Sequence, residues 1–284
     1  MFKGVCTALV SPYDQNGLLT DQLASLIEYQ INGNVDCLLV NGSTGEPTIL
    51  SQAERTRQLE VVTEVVNTRC KIMASCGGTE TQEVIKDCLL AQSYKVDYLL
   101  VVTPYYNKTN SKGILKHYFS IADKVDTPII LYNVPSRTGY DLDIDTVIEL
   151  SKHPNIVGLK QANGNIASTS RLIPYLDNFA LYCGDDALLL PFYSIGSQGI
   201  ISVVSNAYVR LLKQLCYRPN LNDFHNLVEL ASLLFSSPNP TAIKYVLYKL
   251  GLLDTYFLRS PLVEIDDNLK IAIDLILPKY DKYL

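Results

Sequence analysis

Short apolar runs recur along the chain, and each is followed by a longer segment whose apolar positions repeat with helical spacing. Continuously apolar runs of this length are typical of parallel strands that are covered on both faces. Eight such runs that alternate with helical segments fit an α/β fold, a closed (β/α)8 or TIM barrel, better than an open sheet. The runs cover residues 4–9, 37–41, 71–75, 98–102, 129–133, 157–161, 181–184 and 199–203.

The turn after the first run argues against an open sheet that binds a dinucleotide. Such a sheet needs a glycine-rich turn at that place, because the backbone must approach the pyrophosphate closely. The residues here are Leu9-Val10-Ser11-Pro12-Tyr13, without a glycine. The closed barrel is therefore the predicted fold.

Helix-start signals precede several of the intervening segments. Thr20 can cap a helix that runs to Gly33, and Asp143 can cap one that cannot continue through Pro154. Two sequences of the capping-box type, at 51–54 and 79–82, stand before further apolar repeats. We predict that helices begin at these places.

After residue 203 the alternation ends and only helical patterns follow. They are interrupted at Pro219, at 237–240 and at 259–261. Their apolar stripes need a surface to cover them. We therefore predict a barrel over residues 1–204 and a C-terminal helical extension over 205–284 that packs on it.

Composition and charge exclude several classes of partner. The chain has 284 residues, 48% of them hydrophobic, and a net charge of −5 that is scattered along the sequence. The sequence has no basic stripe that would bind a nucleic acid or a membrane surface. The expected partner is therefore a small molecule. We also find no signal-peptide profile and no apolar run as long as a membrane span, which predicts a cytoplasmic protein.

The cysteines and histidines point to packing rather than to a metal. Seven cysteines are dispersed without a C-x-x-C pair, several of them inside apolar runs. We interpret them as reduced core residues. Only three histidines are present, none of them near a cluster of carboxylates or cysteines. We therefore predict no metal site, and the sequence calls for no cofactor.

The polar residues that follow the predicted strands are chemically compatible with one another. In a (β/α)8 barrel the active site lies at the carboxyl ends of the strands. Lys160 ends the sixth run, and a desolvated amine can attack a carbonyl and form a Schiff base. Tyrosine can exchange protons with the resulting carbinolamine, glycine-flanked hydroxyls can hold a carboxylate, and arginine can grip a second one. The other strands end in the segments 41–46, 103–107, 132–139 and 184–186.

Each of these features has a simpler explanation when it is taken alone. Lys160 can mark the point at which a strand meets water. Tyr105 and Tyr106 can be packing aromatics, and Asp185 and Asp186 can cap the next helix. The arrangement in order around the barrel supports the chemical interpretation.

Six motifs at fitting spacing resemble the pyruvate-dependent class I aldolases, and specifically their lysine-pathway branch, the dihydrodipicolinate synthases. The resemblance extends over nearly the whole chain, including NPTAIK at 239–244 and RSPLV at 259–263. The motifs are GSTGE at 42–46, TPYYNK at 103–108, YNVPSRTG at 132–139, GLKQANGN at 158–165, GDDA at 184–187 and GIISV at 199–203.

The resemblance implies a condensation of pyruvate with aspartate semialdehyde and a role for each matching residue. Lys160 would form the imine with pyruvate, and Arg137 would bind the semialdehyde. Tyr106 would reach into the neighbouring subunit, which implies a homo-oligomer, either a dimer or a dimer-of-dimers tetramer. The remaining roles are general acid/base for Tyr132, proton relay for Ser43 together with Tyr106, pyruvate carboxylate binding for Thr44 and pocket lining for Ile201.

Two departures from the family pattern keep alternatives open. GSTGE replaces the usual GTTGE of the synthases and is also seen in N-acetylneuraminate lyases, and Gln161 stands where the synthases commonly have an acidic residue. The alternatives are such a lyase, a 2-keto-3-deoxy sugar acid aldolase, or a non-catalytic ligand-sensing relative. Arg137 within YNVPSRTG favours the synthase, because the sialate lyases lack that arginine.

The expected position of an inhibitory lysine site also departs from the pattern of lysine-inhibited members. The residues after GSTGE include Pro47, which has no N–H to donate, and Arg55, and Thr79 replaces an expected asparagine. A permanent positive charge at Arg55 would repel the ammonium groups of lysine. We predict weak or absent feedback inhibition by lysine.

Overall fold

The computed structural model describes residues 1–175 and 177–284, and its main feature is a closed barrel of eight parallel strands. The order around the barrel follows the order along the chain, so the predicted (β/α)8 fold is confirmed. Each predicted apolar run overlaps one of these strands, and their ends agree to within one residue. They are β1 (Gly4–Ala8), β4 (Cys37–Val40), β5 (Lys71–Cys76), β6 (Tyr98–Val102), β7 (Ile129–Asn133), β8 (Ile156–Gln161), β9 (Ala180–Cys183) and β10 (Gly199–Ser202).

A two-stranded hairpin between the first barrel strand and the first helix was not predicted. Its strands are β2 (Tyr13–Asp14) and β3 (Gly17–Leu18), which pair in antiparallel orientation. The Asp14 carboxylate accepts the backbone N–H groups of Asn16, at 2.6 Å, and of Gly17, at 3.1 Å. Two-residue strands are too short to show a hydrophobic period, and this is why the sequence pattern did not indicate them.

Helices cover the segments between the barrel strands and most of the chain after them. The helices are α1 (Thr20–Asn32), α2 (Gln52–Val66), α3 (Thr81–Ser93), α4 (Ser111–Ala122), α5 (Pro135–Thr138), α6 (Ile144–Leu150), α7 (Ile166–Thr169), α8 (Leu189–Ser194), α9 (Ser205–Tyr217), α10 (Leu221–Leu234), α11 (Thr241–Lys249) and α12 (Asp267–Ile276). Short 3-10 helices span Ser43–Gly45, Ser170–Tyr175, Asp186–Leu188 and Leu277–Tyr283.

Two of the four predicted helix starts are correct. Ser51 forms a complete capping box with Glu54, and Asp143 caps α6 through the N–H of Thr146. Thr20 is already inside α1, and Leu19 precedes that helix without a side-chain cap. The prediction at 79–82 is also wrong, because Glu80 caps α3 by accepting the N–H of Glu83. A carboxylate at the N-cap serves the exposed N–H groups as well as a hydroxyl does.

The chain divides into two compact units, and Lys160 belongs to the first, Met1–Lys3 with Ile72–Ile201. Within this unit β5 to β9 are paired in parallel register, with Tyr132 opposite Lys160. The ring of Phe2 stacks on Tyr182 at 4.3 Å, and the Tyr182 hydroxyl donates to the Phe2 carbonyl at 2.9 Å. The amino-terminal residues are thereby tied to β9.

The second unit combines Gly4–Lys71 with Ser202–Leu284, so the carboxyl-terminal helices pack with the first βα elements. The Asn206 side chain accepts the N–H of Val10 at 3.1 Å and donates to the Ala8 carbonyl at 2.7 Å. Lys213 forms an ion pair with Asp36 at 2.7 Å. Helix α9 directly follows β10, and the division into 1–204 and 205–284 stays a prediction.

Burial agrees with the interpretation of most cysteines as core residues. Five of the seven are buried, namely Cys6, Cys37, Cys76, Cys88 and Cys183. Among the described residues, no group of three or more His, Cys, Asp or Glu side chains is arranged to hold a metal ion. Across the same residues, no helix combines the length and the apolar character needed to span a membrane.

Candidate active site

Lys160 lies at the penultimate position of β8, and its side chain is only 6% exposed. In the described part of the chain, its Nζ atom takes part in no hydrogen bond and no ion pair. The interpretation that the lysine marks the point where a strand meets water is therefore wrong. A buried amine that is not held by a carboxylate is available to attack a carbonyl carbon.

Tyr132 on the neighbouring strand lies beside this amine. The two residues are register partners of β7 and β8, and Nζ of Lys160 is 4.2 Å from the centroid of the Tyr132 ring. Both side chains are buried. The amine thus lies over the face of the ring, and the role of Tyr132 as general acid and base stays a prediction.

Gly184 leaves the space that the lysine stem occupies. A β-carbon at residue 184 would lie 3.1 Å from Cε of Lys160 and 2.8 Å from Cβ of Ala162. Burial raises the pKa of the adjacent Cys183 thiol well above its usual range. The thiol therefore stays protonated and does not compete with the amine as a nucleophile.

The first of the two aspartates after Gly184 binds the local backbone. Asp185 caps the 3-10 helix Asp186–Leu188 and accepts the N–H of Ala187 at 3.1 Å. This confirms for Asp185 the interpretation as a capping residue.

Arg137 lies on α5, directly after β7, and its side chain is exposed. Asn133, which is fully buried, precedes the segment that carries Arg137 and forms hydrogen bonds with the residues that follow it. The Asn133 amide oxygen accepts the N–H of Leu142 at 3.0 Å. Its Nδ2 donates to Asp141 at 2.6 Å and to Gln161 at 2.8 Å. Gln161, the departure noted in the sequence, thus joins this segment to the strand of Lys160.

Gln161 makes only part of the contacts that its amide offers. Its Nε2 is buried and has no hydrogen-bond partner among the described residues. The acidic residue that the synthases commonly have at this position carries no N–H group, so it would leave no buried donor unpaired.

Tyr106 is not packed within its own chain. Its side chain is 89% exposed, and its φ of +64° lies in the left-handed region that bulky residues rarely adopt. The interpretation of Tyr106 as a packing aromatic is wrong. The backbone turns this ring outward, where a second copy of the chain can meet it.

The second unit contains the hydroxyls of the GSTGE motif on the 3-10 turn Ser43–Gly45. Thr44 is buried, and Nδ2 of Asn239 donates to its Oγ1 at 3.0 Å. The Ser11 hydroxyl donates to the carbonyl of Gly45 at 2.6 Å. Because the hydroxyl oxygen of Thr44 already accepts a hydrogen bond, its proton can be directed at a carboxylate.

Glu46 and Lys244 form a buried ion pair that sequence reasoning missed. Oε2 of Glu46 lies 2.5 Å from Nζ of Lys244, and both side chains are almost fully buried. The Tyr13 hydroxyl donates to Oε1 of Glu46 at 2.5 Å. Burial, which outweighs the attraction of Glu46, lowers the pKa of Lys244 to about 8. Both residues belong to motifs singled out in the sequence, GSTGE and NPTAIK, but a motif does not reveal which opposite charges meet.

The two buried lysines differ in what their amines contact. Lys244 is 1% exposed, and its amine is held by a carboxylate and lies 3.7 Å from the ring centroid of Tyr13. The Lys160 amine lies over the ring of Tyr132, and the side chain that carries it fills the space next to Gly184. Of the two, Lys160 is therefore the candidate nucleophile.

The remaining residues from the sequence motifs are placed as follows. Ile201 lies on β10 and is buried. Arg55, which the sequence associates with an inhibitor site, lies half-buried on α2 and donates through Nη2 to Oε1 of Gln52.

Comparison with known proteins gives one consistent family. A profile of the dihydrodipicolinate synthetase family matches residues 1–279. The chain is 39% identical over 261 residues to the 4-hydroxy-tetrahydrodipicolinate synthase of Exiguobacterium sibiricum, covering 89% of each chain. The crystal structure of dihydrodipicolinate synthase from Aquifex aeolicus superposes with a TM-score of 0.95 at 32% identity, over 100% of this chain and 99% of that one. The chloride-inhibited dihydrodipicolinate synthase from Acinetobacter baumannii, solved in complex with pyruvate, gives a TM-score of 0.93 at 33% identity over 100% of both chains. The chain belongs to the dihydrodipicolinate synthetase family.

Proposed function

We propose that this protein is a 4-hydroxy-tetrahydrodipicolinate synthase that condenses pyruvate with aspartate 4-semialdehyde. The observation that carries the proposal is the buried Lys160 amine, which makes no ion pair within the described residues and lies 4.2 Å from the Tyr132 ring. The family to which the chain belongs and the pyruvate complex of the Acinetobacter baumannii relative support pyruvate as the first substrate.

The reaction begins with attack of the Lys160 amine on C2 of pyruvate. Loss of water from the carbinolamine gives an imine, and loss of a C3 proton gives the enamine. C3 then attacks the aldehyde carbon of the semialdehyde, and the new alkoxide takes up a proton. The amino group of the semialdehyde moiety closes the ring onto the imine carbon, which releases Lys160 and 4-hydroxy-tetrahydrodipicolinate.

In this proposal the other site residues position the substrates or move protons. Tyr132 acts as general acid and base at the carbinolamine and at the alkoxide. Thr44 binds the pyruvate carboxylate, and Arg137 binds the carboxylate of the semialdehyde through its planar guanidinium. Ser43 and Tyr106 complete a proton relay with Tyr132. A second subunit of a homo-oligomer supplies Tyr106. Ile201 lines the pocket.

Two measurements test the proposal. Borohydride added together with pyruvate is expected to leave a reduced pyruvate on Lys160, found by peptide mass spectrometry, and none on the ion-paired Lys244. A Lys160→Arg variant serves as the matched control and is expected to remain unlabelled. Labelling at another lysine, or at none, would exclude the aldolase mechanism and favour a ligand-sensing relative.

The acceptor is tested by a comparison of two aldehydes. Turnover of pyruvate with aspartate semialdehyde, and none with N-acetylmannosamine, is the expected result, because Arg137 offers a cation to an acceptor that carries a carboxylate. Imine formation together with turnover of N-acetylmannosamine alone would identify a sialate lyase.

A further inference from the structure

The 3-10 turn that carries Ser43 and Thr44 is fixed by contacts with residues far along the chain. It ends at Glu46, whose φ of +56° lies in the left-handed region. A glutamate has no intrinsic preference for this conformation, so the surrounding contacts must hold it there. The side chain of Glu46 points into the protein and is buried.

The contacts of Glu46 form one connected cluster, which we call the Glu46 cluster: Tyr13, Glu46, Glu54, Lys244 and Arg259. Tyr13 lies between two cations, with Nζ of Lys244 3.7 Å and Cζ of Arg259 4.6 Å from its ring centroid. Arg259 binds both oxygens of Glu54 on α2, at 2.5 and 3.1 Å. The cluster therefore connects the turn, the hairpin, α2, α11 and the segment after α11.

The central Glu46–Lys244 pair of this cluster is buried, so its free-energy cost is high unless its geometry is well defined. Both charges of a buried ion pair lose their hydration, which costs free energy. Their mutual attraction offsets this cost only if the geometry is good and additional hydrogen bonds are made. The Glu46–Lys244 pair has such bonds in the Tyr13 hydroxyl at 2.5 Å and the Phe257 carbonyl at 3.5 Å. A buried pair of this kind adds little net stability, and in some proteins it fixes a single conformation instead.

A second contact from the same part of the chain reaches the turn directly. Asn239, which lies just before α11, donates to the Thr44 hydroxyl at 3.0 Å. Thr44 and Glu46 are thus both held from the segment 239–244, which includes the first turn of α11. Loss of the ion pair would free one end of the turn while Thr44 kept a single partner.

We propose that Lys244 is a positioning residue for the proposed reaction. Through Glu46 it fixes the Ser43–Gly45 turn, so that the Thr44 hydroxyl is presented to the pyruvate carboxylate. Lys244 does not touch the reacting atoms, and its loss raises the KM for pyruvate while the imine on Lys160 still forms at saturating pyruvate. This inference rests on the proposed function.

The first test is the double variant Glu46→Gln/Lys244→Met, which removes the ion pair without leaving a buried charge unpaired. We expect a KM for pyruvate at least tenfold higher, a kcat within about twofold, and unchanged borohydride labelling of Lys160 at saturating pyruvate. The control is Lys249→Met, which removes a half-exposed ion pair with Asp274 from the same helix. A folded double variant with an unchanged KM for pyruvate would overturn the proposal.

A second variant keeps the test independent of folding. Tyr13→Phe removes only the hydroxyl that binds Glu46 and keeps the ring between the two cations. We expect a KM for pyruvate about threefold higher with kcat retained, whereas Tyr245→Phe, which removes a buried tyrosine's hydrogen bond to Asp274, leaves both constants unchanged. A Tyr13→Phe enzyme with the KM of the unmodified protein would contradict the role of Glu46.

The two levels of inference fail in different ways. If Lys160 takes no label in the unmodified protein, the proposed function is wrong. If Lys160 is labelled normally and KM does not respond to the variants of the Glu46 cluster, only the positioning role is wrong.

Discussion

At the scale of single residues, the site depends on which buried charges are paired. Lys160 and Lys244 are both buried, but only Lys244 is held by a carboxylate. The sequence predicted that Lys160 lies on a buried strand because it ends an apolar run, and its role as the nucleophile stays a proposal. It could not identify the partner of Lys244, because pairing between distant residues depends on the fold and not on local spacing.

Arg137 offers a test of the second substrate. In an Arg137→Ala variant the carboxylate of aspartate semialdehyde should lose a charge-assisted contact of about 1.5–3 kcal/mol, which lowers kcat/KM for the semialdehyde by about 10- to 150-fold. Arg171→Ala, which removes an exposed arginine paired with Asp145, is the control. Labelling of Lys160 with pyruvate should continue in both variants, and an unchanged kcat/KM in Arg137→Ala would show that another group binds the semialdehyde.

Arg55 determines the expected response to lysine. Because its permanent charge would repel the ammonium groups of a lysine bound at the position that the resemblance implies, millimolar lysine should cause little or no inhibition at saturating substrates. Arg55→Ala should increase the sensitivity to lysine, whereas Arg57→Ala on the same helix, where Arg57 pairs with Glu60, should not. Strong inhibition of the unmodified enzyme by submillimolar lysine would contradict this prediction.

At the scale of elements, the hydrophobic pattern predicted the barrel strands closely, whereas local side-chain contacts decided the helix starts. Glu80 rather than Thr79 caps α3, and the pattern could not choose between the two neighbours. One side-chain contact between α3 and α4 involves a histidine for which the sequence suggested no role. Nδ1 of His117 lies 3.0 Å from the hydroxyl of Thr81, at the start of α3.

His117 makes the stability of this helix pair depend on pH. Burial lowers its pKa to about 4, with a smaller opposing effect from Glu80. The unfolded chain binds the proton near pH 6.5 and the folded chain only near pH 4, so acidification through this window favours unfolding by up to about 3 kcal/mol. His117→Gln should flatten the pH dependence of the free energy of unfolding between pH 6.5 and 4, measured with urea. His225→Gln at an exposed site is the control and should leave the slope unchanged, and an equal slope in both variants would refute the assignment.

At the scale of the whole molecule, the family match extends over residues 1–279, so the carboxyl-terminal helices are part of what the relatives share. In the second unit these helices contact the turn of Ser43 and Thr44 through Asn239 and Lys244. The sequence predicted helices there that pack on the barrel. The sequence could not predict that these helices contact the turn that carries Thr44, the residue proposed to bind the pyruvate carboxylate.

The relay role proposed for Tyr106 in a neighbouring subunit, together with its exposed ring, leads us to predict that the active protein is at least a dimer. Mixing inactive Tyr106→Phe and Lys160→Ala subunits should restore part of the activity, because a hybrid site can combine an intact Lys160 with an intact Tyr106. Tyr175→Phe, at another exposed tyrosine, is the control variant and should be active alone. Sedimentation of a fully active monomer at the assay concentration would refute the prediction.

The contact between Thr44 and Asn239 has a consequence for how the enzyme matures. The two residues are 195 positions apart, so the ribosome must add most of the chain before the turn of Ser43 and Thr44 gains its partner. Contacts between such distant residues form late and slow the folding of a domain. A nascent chain therefore carries Lys160 well before Thr44 gains the partner that orients its hydroxyl, so under the proposed function pyruvate cannot be bound in a fixed orientation until the last helices have left the ribosome.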